Sequence, residues 1–180
     1  MDLHLEPPHA AGPVRLGMTF DEALAAVAPW GDTRTRVRPG PRPDTLSTSC
    51  GGIGVDVHLE EDDRVTAVEF WWPGEGRTST TRVLLGGRDV FTTPADELLD
   101  GLPGGLSGGL SGGSPGGLSG GSPGGLSVHD GDTEDPFVPG LSLGFTRRTS
   151  QEVPRRPDGL PVHFTSVLVG AADYYDFRLR

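Results

Sequence analysis

The stretch V-R-L-G-M-T-F-D-E-A-L-A-A-V-A-P-W-G, residues 14–31, carries a start signal, an apolar periodicity and a stop signal that agree on one amphipathic helix. Thr19 is placed to accept an amide one turn on, while the Glu22 carboxylate reaches back to the Thr19 amide, a reciprocal capping box. Asp21 and Glu22 also set negative charge against the positive end of the helix dipole. Phe20, Ala23, Leu24 and Val27 recur at three- and four-residue spacing and form a stripe to bury against a second layer. Met18 can staple onto Ala23 at the helix entry, and Pro29 ends the pattern. A helix built this way is a scaffold element, so chemistry has to be sought elsewhere.

Working outward, the clearest neighbour is a hairpin. Ile53, Val55, Val57 and Leu59 alternate with Asp56, His58 and Glu60, which predicts a half-buried strand, and Glu61, Asp62 and Asp63 supply the turn. The return strand spans residues 64–72, with Val68, Phe70 and Trp72 on one face and Val65, Ala67 and Trp71 on the other. Between helix and hairpin, R-T-R-V-R-P-G-P-R-P-D interleaves arginine with proline, which excludes helix and central strand and predicts an extended surface loop. Val83, Leu84 and Leu85 lead through Gly86-Gly87 to a second short helix. There Thr93 is the expected cap, Pro94 the first helical residue, Asp96 and Glu97 the acidic first turn, and Leu98, Leu99 and Leu102 the apolar face.

Residues 104–127 parse into tetrads, GGLS, GGLS, GGSP, GGLS, GGSP and GGLS, holding 12 of the 29 glycines. An uncharged tract with this backbone entropy reads as a disordered insertion. A phosphate loop would need a following Gly-Lys-Ser/Thr, and collagen would need glycine at every third position. Beyond the tract, alternation returns at Leu141, Leu143 and Phe145, and Val162, Phe164 and Leu168 mark a final strand before the aromatic tail Y-Y-D-F. Helix then hairpin occurs twice. The expected fold is therefore α+β: two short helices on an antiparallel sheet, in a duplicated helix-then-hairpin order. Residues 1–12 read as a flexible arm, and residues 13–180 as one domain carrying the insertion at 104–127.

Composition narrows the function classes. The net charge is -10, with 15 basic residues that are all arginine, which disfavours nucleic acid and anionic membranes as partners and suits a basic protein. A single cysteine, Cys50, excludes an internal disulfide framework and reads as a small core residue in a reducing cytoplasm. No signal peptide and no apolar run of roughly 20 residues is visible. The histidines, His4, His9, His58, His129 and His163, fall in no metal-ligand or triad spacing, so no cofactor or metal is expected. Asp130, Asp132 and Glu134 imitate the start of a calcium loop, but the central glycine and distal glutamate are out of register.

At Leu16-Gly17-Met18-Thr19, followed by Glu22-Ala23 and a helix, the chain resembles the helix start of SmpA/OmlA-type and beta-lactamase-inhibitor-like domains. That resemblance implies helices laid on an antiparallel sheet and a role in binding other proteins. Unlike the lipoprotein members, this sequence shows neither a signal peptide nor a lipidated cysteine. The chain also looks like small proteins of high-GC bacteria, some of which are immunity proteins paired with secreted toxins.

These observations support a non-enzymatic protein-binding module, of immunity or inhibitor type, with Trp71, Trp72, Tyr174 and Tyr175 as candidate anchors. Core packing is the competing role for those aromatics. Two alternatives stay open: a small hydrolase or metal-dependent enzyme using His129, Asp130 and Asp132, and a scaffold with no separable activity.

Overall fold

The computed structural model describes residues 1–37, 43–60, 62–102, 135–149, 151–172 and 174. The first half of the chain runs β1 (Asp2–Glu6), β2 (Ala10–Ala11), β3 (Val14–Arg15), α1 (Phe20–Val27), β4 (Arg34–Val37), β5 (Pro43–Cys50), β6 (Ile53–Leu59) and β7 (Val65–Trp71). The second runs β8 (Arg82–Leu85), β9 (Arg88–Asp89), α2 (Ala95–Asp100), β10 (Phe137–Val138), β11 (Leu143–Thr146) and β12 (Ser166–Gly170). These strands build a five-stranded sheet in the order β3-β2-β1-β8-β9 and a seven-stranded sheet in the order β10-β11-β12-β7-β6-β5-β4. Apart from the parallel pair β1 and β8, the pairings among the described residues are antiparallel.

The fold is thus α+β, with two short helices and two mostly antiparallel sheets around one core. Val55 opposes Phe70, and Val57 opposes Val68. Phe70 and Val68 in turn oppose Val167 and Val169, which oppose Phe145 and Leu143. These cross-strand pairs are all buried, and they share a single cluster with Ala23 and Val27 of α1 and with Ala95, Leu98 and Leu99 of α2. Leu3, Val14, Val83 and Leu85 bring the five-stranded sheet into the same cluster. The order of elements repeats: strands of the smaller sheet, a helix, then a meander in the larger sheet. The two meanders meet at β7 and β12.

Helix α1 begins as its sequence predicts. The Thr19 amide donates to Glu22 Oε2 at 2.8 Å, and the Glu22 amide donates to Thr19 Oγ1 at 3.3 Å. The Thr19 hydroxyl also donates to Glu22 Oε2 at 3.0 Å, and the Thr19 amide, the larger cause, and this hydroxyl together hold the Glu22 carboxyl below its ordinary pKa. Helix α2 is started differently. Its N-cap is Pro94, without a side-chain cap, and the Ala95 amide donates instead to the Val162 carbonyl at 2.9 Å. A distant backbone carbonyl therefore does what was expected of the Thr93 hydroxyl.

Residues 1–12 do not form an arm. Leu3 and Leu5 alternate with exposed Asp2, His4 and Glu6 in β1, which lies in the middle of its sheet between β2 and β8. Pro7 and Pro8 fall in the turn after β1, outside the ladder, so their missing donors cost it nothing. Asp2 and Arg82, opposite each other in the parallel register, form a bidentate pair at 2.9 and 2.6 Å. Arg82, chiefly through that hydrogen bond, lowers the Asp2 carboxyl pKa. The arginine-proline segment is likewise more ordered than a loop. Arg34–Val37 is the edge strand of the larger sheet and Pro43 opens β5, both positions where proline or its neighbours need not donate to a ladder.

The last strand is shifted from its expected phase: Val167 and Val169 face the core, whereas Leu168 is half-buried on the other face. Residues 38–42 and the tract 104–127 lie outside the described residues. Among the described residues no helix is long and apolar enough to cross a membrane.

Candidate functional site

One face of the larger sheet is directed away from the core, and its residues follow from strand parity. It carries Ser47 on β5, Gly54, Asp56 and His58 on β6, Ala67, Glu69 and Trp71 on β7, and Ser166, Leu168 and Gly170 on β12, of which Ala67, Ser166 and Gly170 are themselves buried. Trp71 is its most exposed apolar side chain, at 40%. The indole is nevertheless held. It lies against Gly54, where an added Cβ would come 3.3 Å from Trp71 Cβ. Its Nε1–H donates to Asp56 Oδ2 at 2.9 Å, and Asp56 Oδ1 accepts from Ser47 Oγ at 2.6 Å. A three-strand relay, Ser47 to Asp56 to Trp71, therefore fixes the ring across the register Ser47–Asp56 and Gly54–Trp71.

Beside this relay sits a second polar pair. His58 Nε2 is 3.8 Å from Glu69 Oε2, and that nitrogen is buried without a hydrogen-bond partner. His58 is thus a half-buried strand residue facing a carboxylate, and among the described residues no group of three or more His, Cys, Asp or Glu side chains could hold a metal ion. Arg34 and Arg36 on β4 border the face at its edge, opposite Ser47 and Thr45. Asp56 on β6 and Glu69 on β7 put negative charge at the centre of the face, and Asp135 lies beside Glu69 and Leu168.

The candidate aromatic anchors separate. Trp71 is on the outward face. Trp72, one residue on, points the other way and packs half-buried against the core, next to Phe91 and Phe164. Tyr174 is half-buried and belongs to the outward face, because an added Cβ on Gly170 would come 2.6 Å from Tyr174 Cβ and Cγ. It lies at the Ala67–Gly170 end, four residues along β7 from Trp71, or about 13 Å at the usual strand rise. Tyr175 lies outside the described residues, as do His129, Asp130 and Asp132.

Sequence reading passed over Ser47, Asp56 and Glu69. Each is an ordinary polar residue on a strand, and its role appears only once the register sets Asp56 beside Trp71 and Glu69 beside Leu168. Compared with known proteins, the chain matches no family model, no curated protein and no solved structure.

Proposed function

We propose that the chain is a non-enzymatic protein-binding module of immunity or inhibitor type, which presents the outward face of its larger sheet to a basic partner protein. Trp71 carries this reading: an exposed indole, braced on Gly54 and tied to Asp56, loses little freedom when it docks. Interface energy concentrates on anchors of that kind, with aromatic residues prominent among them. Asp56 and Glu69 surround the anchor with negative charge, and a net charge of -10 steers a basic partner towards the molecule. The likeness of Leu16-Gly17-Met18-Thr19 to the helix start of SmpA/OmlA-type and inhibitor-like domains supports the same role by analogy. Cys50, buried and free, suits a reducing cytoplasmic setting.

The test is co-purification from the native cell extract over a range of salt, with wild type, Trp71→Ala and Asp56→Asn in parallel. Wild type should retain a stoichiometric basic protein at low salt. Trp71→Ala should weaken that association by roughly 30-fold or more, the effect of losing a central aromatic anchor, without moving the thermal midpoint by more than a few degrees. Asp56→Asn, which keeps an acceptor for the indole but loses the charge, should mainly weaken retention at low salt and make its loss with salt shallower. The absence of a stoichiometric partner at any salt, or equal retention by Trp71→Ala, would refute the proposal.

A further inference from the structure

A cleft of about 590 Å3 opens between the segment Arg147, Arg148, Thr149 and the hairpin that carries Arg155, Asp158 and Leu160. The hairpin is rigid for local reasons. In Arg156-Pro157-Asp158-Gly159, proline presets the first corner and Gly159 takes φ +89°. The Gly159 amide donates to the Arg156 carbonyl at 2.9 Å, and the Arg156 amide to the Leu160 carbonyl at 2.8 Å. The Leu160 amide is held by Asp158 Oδ1 at 3.0 Å.

Arg148 on the first wall pairs with Asp135 at 3.6 Å, whereas Arg147, Arg155 and Arg156 have only Asp96 and Asp158 between them among the described residues. Arg147 continues the inward phase of Leu143 and Phe145, so its side chain is only 5% exposed and its guanidinium carbon lies 5.2 Å from the Phe164 ring centroid. Its Nη2 donates to Asp96 Oδ1 at 3.1 Å, and its Nε–H is buried with no acceptor. Asp96 is not Arg147's alone: it also pairs with Arg156, which takes Asp158 as well at 3.2 Å. Arg155 has no carboxylate within ion-pair distance among the described residues. Its two terminal nitrogens donate to the carbonyls of Gly159, at 2.8 Å, and Thr149, at 3.3 Å, which clips the guanidinium across both walls. Arg147 and Arg156 thus share Asp96, Asp158 answers Arg156 alone, and Arg155 has neither, on a protein whose overall charge is -10.

A buried cation whose only counter-ion is shared is under-compensated, and an entering anion completes its shell. Arginine forks suit phosphate and carboxylate oxygens, and donors set on two walls favour an oxyanion with more acceptor positions than a planar carboxylate has. The cleft volume lies in the small-molecule range, and Leu160 and Pro161 add an apolar wall for the body of a ligand. We propose that this cleft binds the phosphoryl group of a small phosphate-bearing molecule, with Arg155 as a direct donor and Arg147 as the buried positive charge beneath it. The site is independent of the outward sheet face, since Arg147 belongs to the core side of the sheet.

Isothermal titration of the full chain with inorganic phosphate, ribose 5-phosphate and succinate, at ionic strength balanced with sodium chloride, tests the proposal. Both phosphates should bind saturably in the millimolar range or tighter, and ribose 5-phosphate should bind more tightly than inorganic phosphate if the apolar wall is used. Arg155→Gln should weaken phosphate about tenfold and lower the thermal midpoint without ligand by no more than a few degrees, since it removes two hydrogen bonds made by an exposed side chain. Arg147→Lys, which keeps the charge and loses the fork, should weaken it further; if that variant does not fold, Arg155→Gln still decides. No saturable phosphate binding, equal binding by Arg155→Gln, or succinate bound as well as phosphate would each overturn the assignment.

Discussion

Leu3→Ala is the sharpest test of whether the first residues belong to the core. Leu3 is 1% exposed, sits opposite Val83 on a strand paired on both sides, and has Gly12 so close that an added Cβ there would come 3.1 Å from Leu3 Cδ2. Burying a leucine side chain is worth about 1.5–3 kcal/mol, and the cavity left by truncation raises the measured loss to about 2–5 kcal/mol. The site cannot collapse easily, because backbone flanks it on both sides, so a loss of about 3–4 kcal/mol is expected. For a chain of this size each kcal/mol moves the midpoint by about 2–4 °C, which gives a fall of about 6–16 °C. Urea unfolding followed by tryptophan fluorescence should show the loss as a lower midpoint with an unchanged slope. His4→Ala is the control: it lies on the exposed side of the same strand and should stay within about 0.5 kcal/mol of wild type. A Leu3→Ala protein within about 0.5 kcal/mol of wild type would mean that β1 is not part of the core and that the parallel pairing with β8 is wrong.

Thr19→Ala should cost about 1 kcal/mol by removing the side-chain half of the capping box. Because the folded Glu22 pKa is lowered, the contribution of this cap is present above the ordinary glutamate pKa of roughly 4.3 and is lost as pH falls further, so the gap between wild type and Thr19→Ala should narrow below roughly pH 4 in acid titrations followed by circular dichroism. Gly51→Ala should destabilise by about 1–3 kcal/mol in chemical denaturation. Gly51 and Gly52 both have positive φ in the two-residue turn joining β5 to β6, and a Cβ on Gly51 would fall 2.3 Å from Thr81 Oγ1. Excising residues 104–127 should leave the circular dichroism spectrum of the folded protein intact and raise its stability by about 1 kcal/mol, the closure entropy of the shortened connection from α2 to β10. A collapse of the thermal transition would show that the tract does more than connect.

The elements legible in the sequence are those whose signal is local and whose two faces differ in polarity. The α1 cap and the β6 alternation are of this kind. Strand β5 escaped because its alternation sets Leu46, Thr48 and Cys50 against Thr45, Ser47 and Ser49, small polar residues on both sides with a proline at the start. The phase of the final strand departs from the sequence pattern because Thr165 interrupts it: its amide and hydroxyl both donate to the Thr146 carbonyl, at 2.7 and 3.0 Å, so the alternation through Val162 and Phe164 does not continue into Val167. Neighbouring tryptophans on one strand must face opposite ways, yet only the register says which one faces out. The arginine cleft was out of reach for a different reason, since Asp96 meets Arg147 and Arg156 across separations of 51 and 60 residues.

The junction of the two meanders ties the candidate binding face to the completeness of the fold. Trp71 is contributed by the first half, but its neighbour across the seam is Ser166 of the second, and Glu69 faces Leu168 there. β7 is thus an interior strand only when β12 has paired with it; without β12 it would be an exposed edge, with its backbone donors and acceptors unpaired. The relay from Ser47 through Asp56 to Trp71 belongs wholly to the first half, so the indole can be oriented locally. The surroundings of the ring on the β12 side, including the Tyr174 end beside Gly170, exist only after the last strand docks. A partner that reads Trp71 together with that surface would therefore discriminate the folded chain from its first half alone, which ties recognition to the β7–β12 seam rather than to the tryptophan by itself.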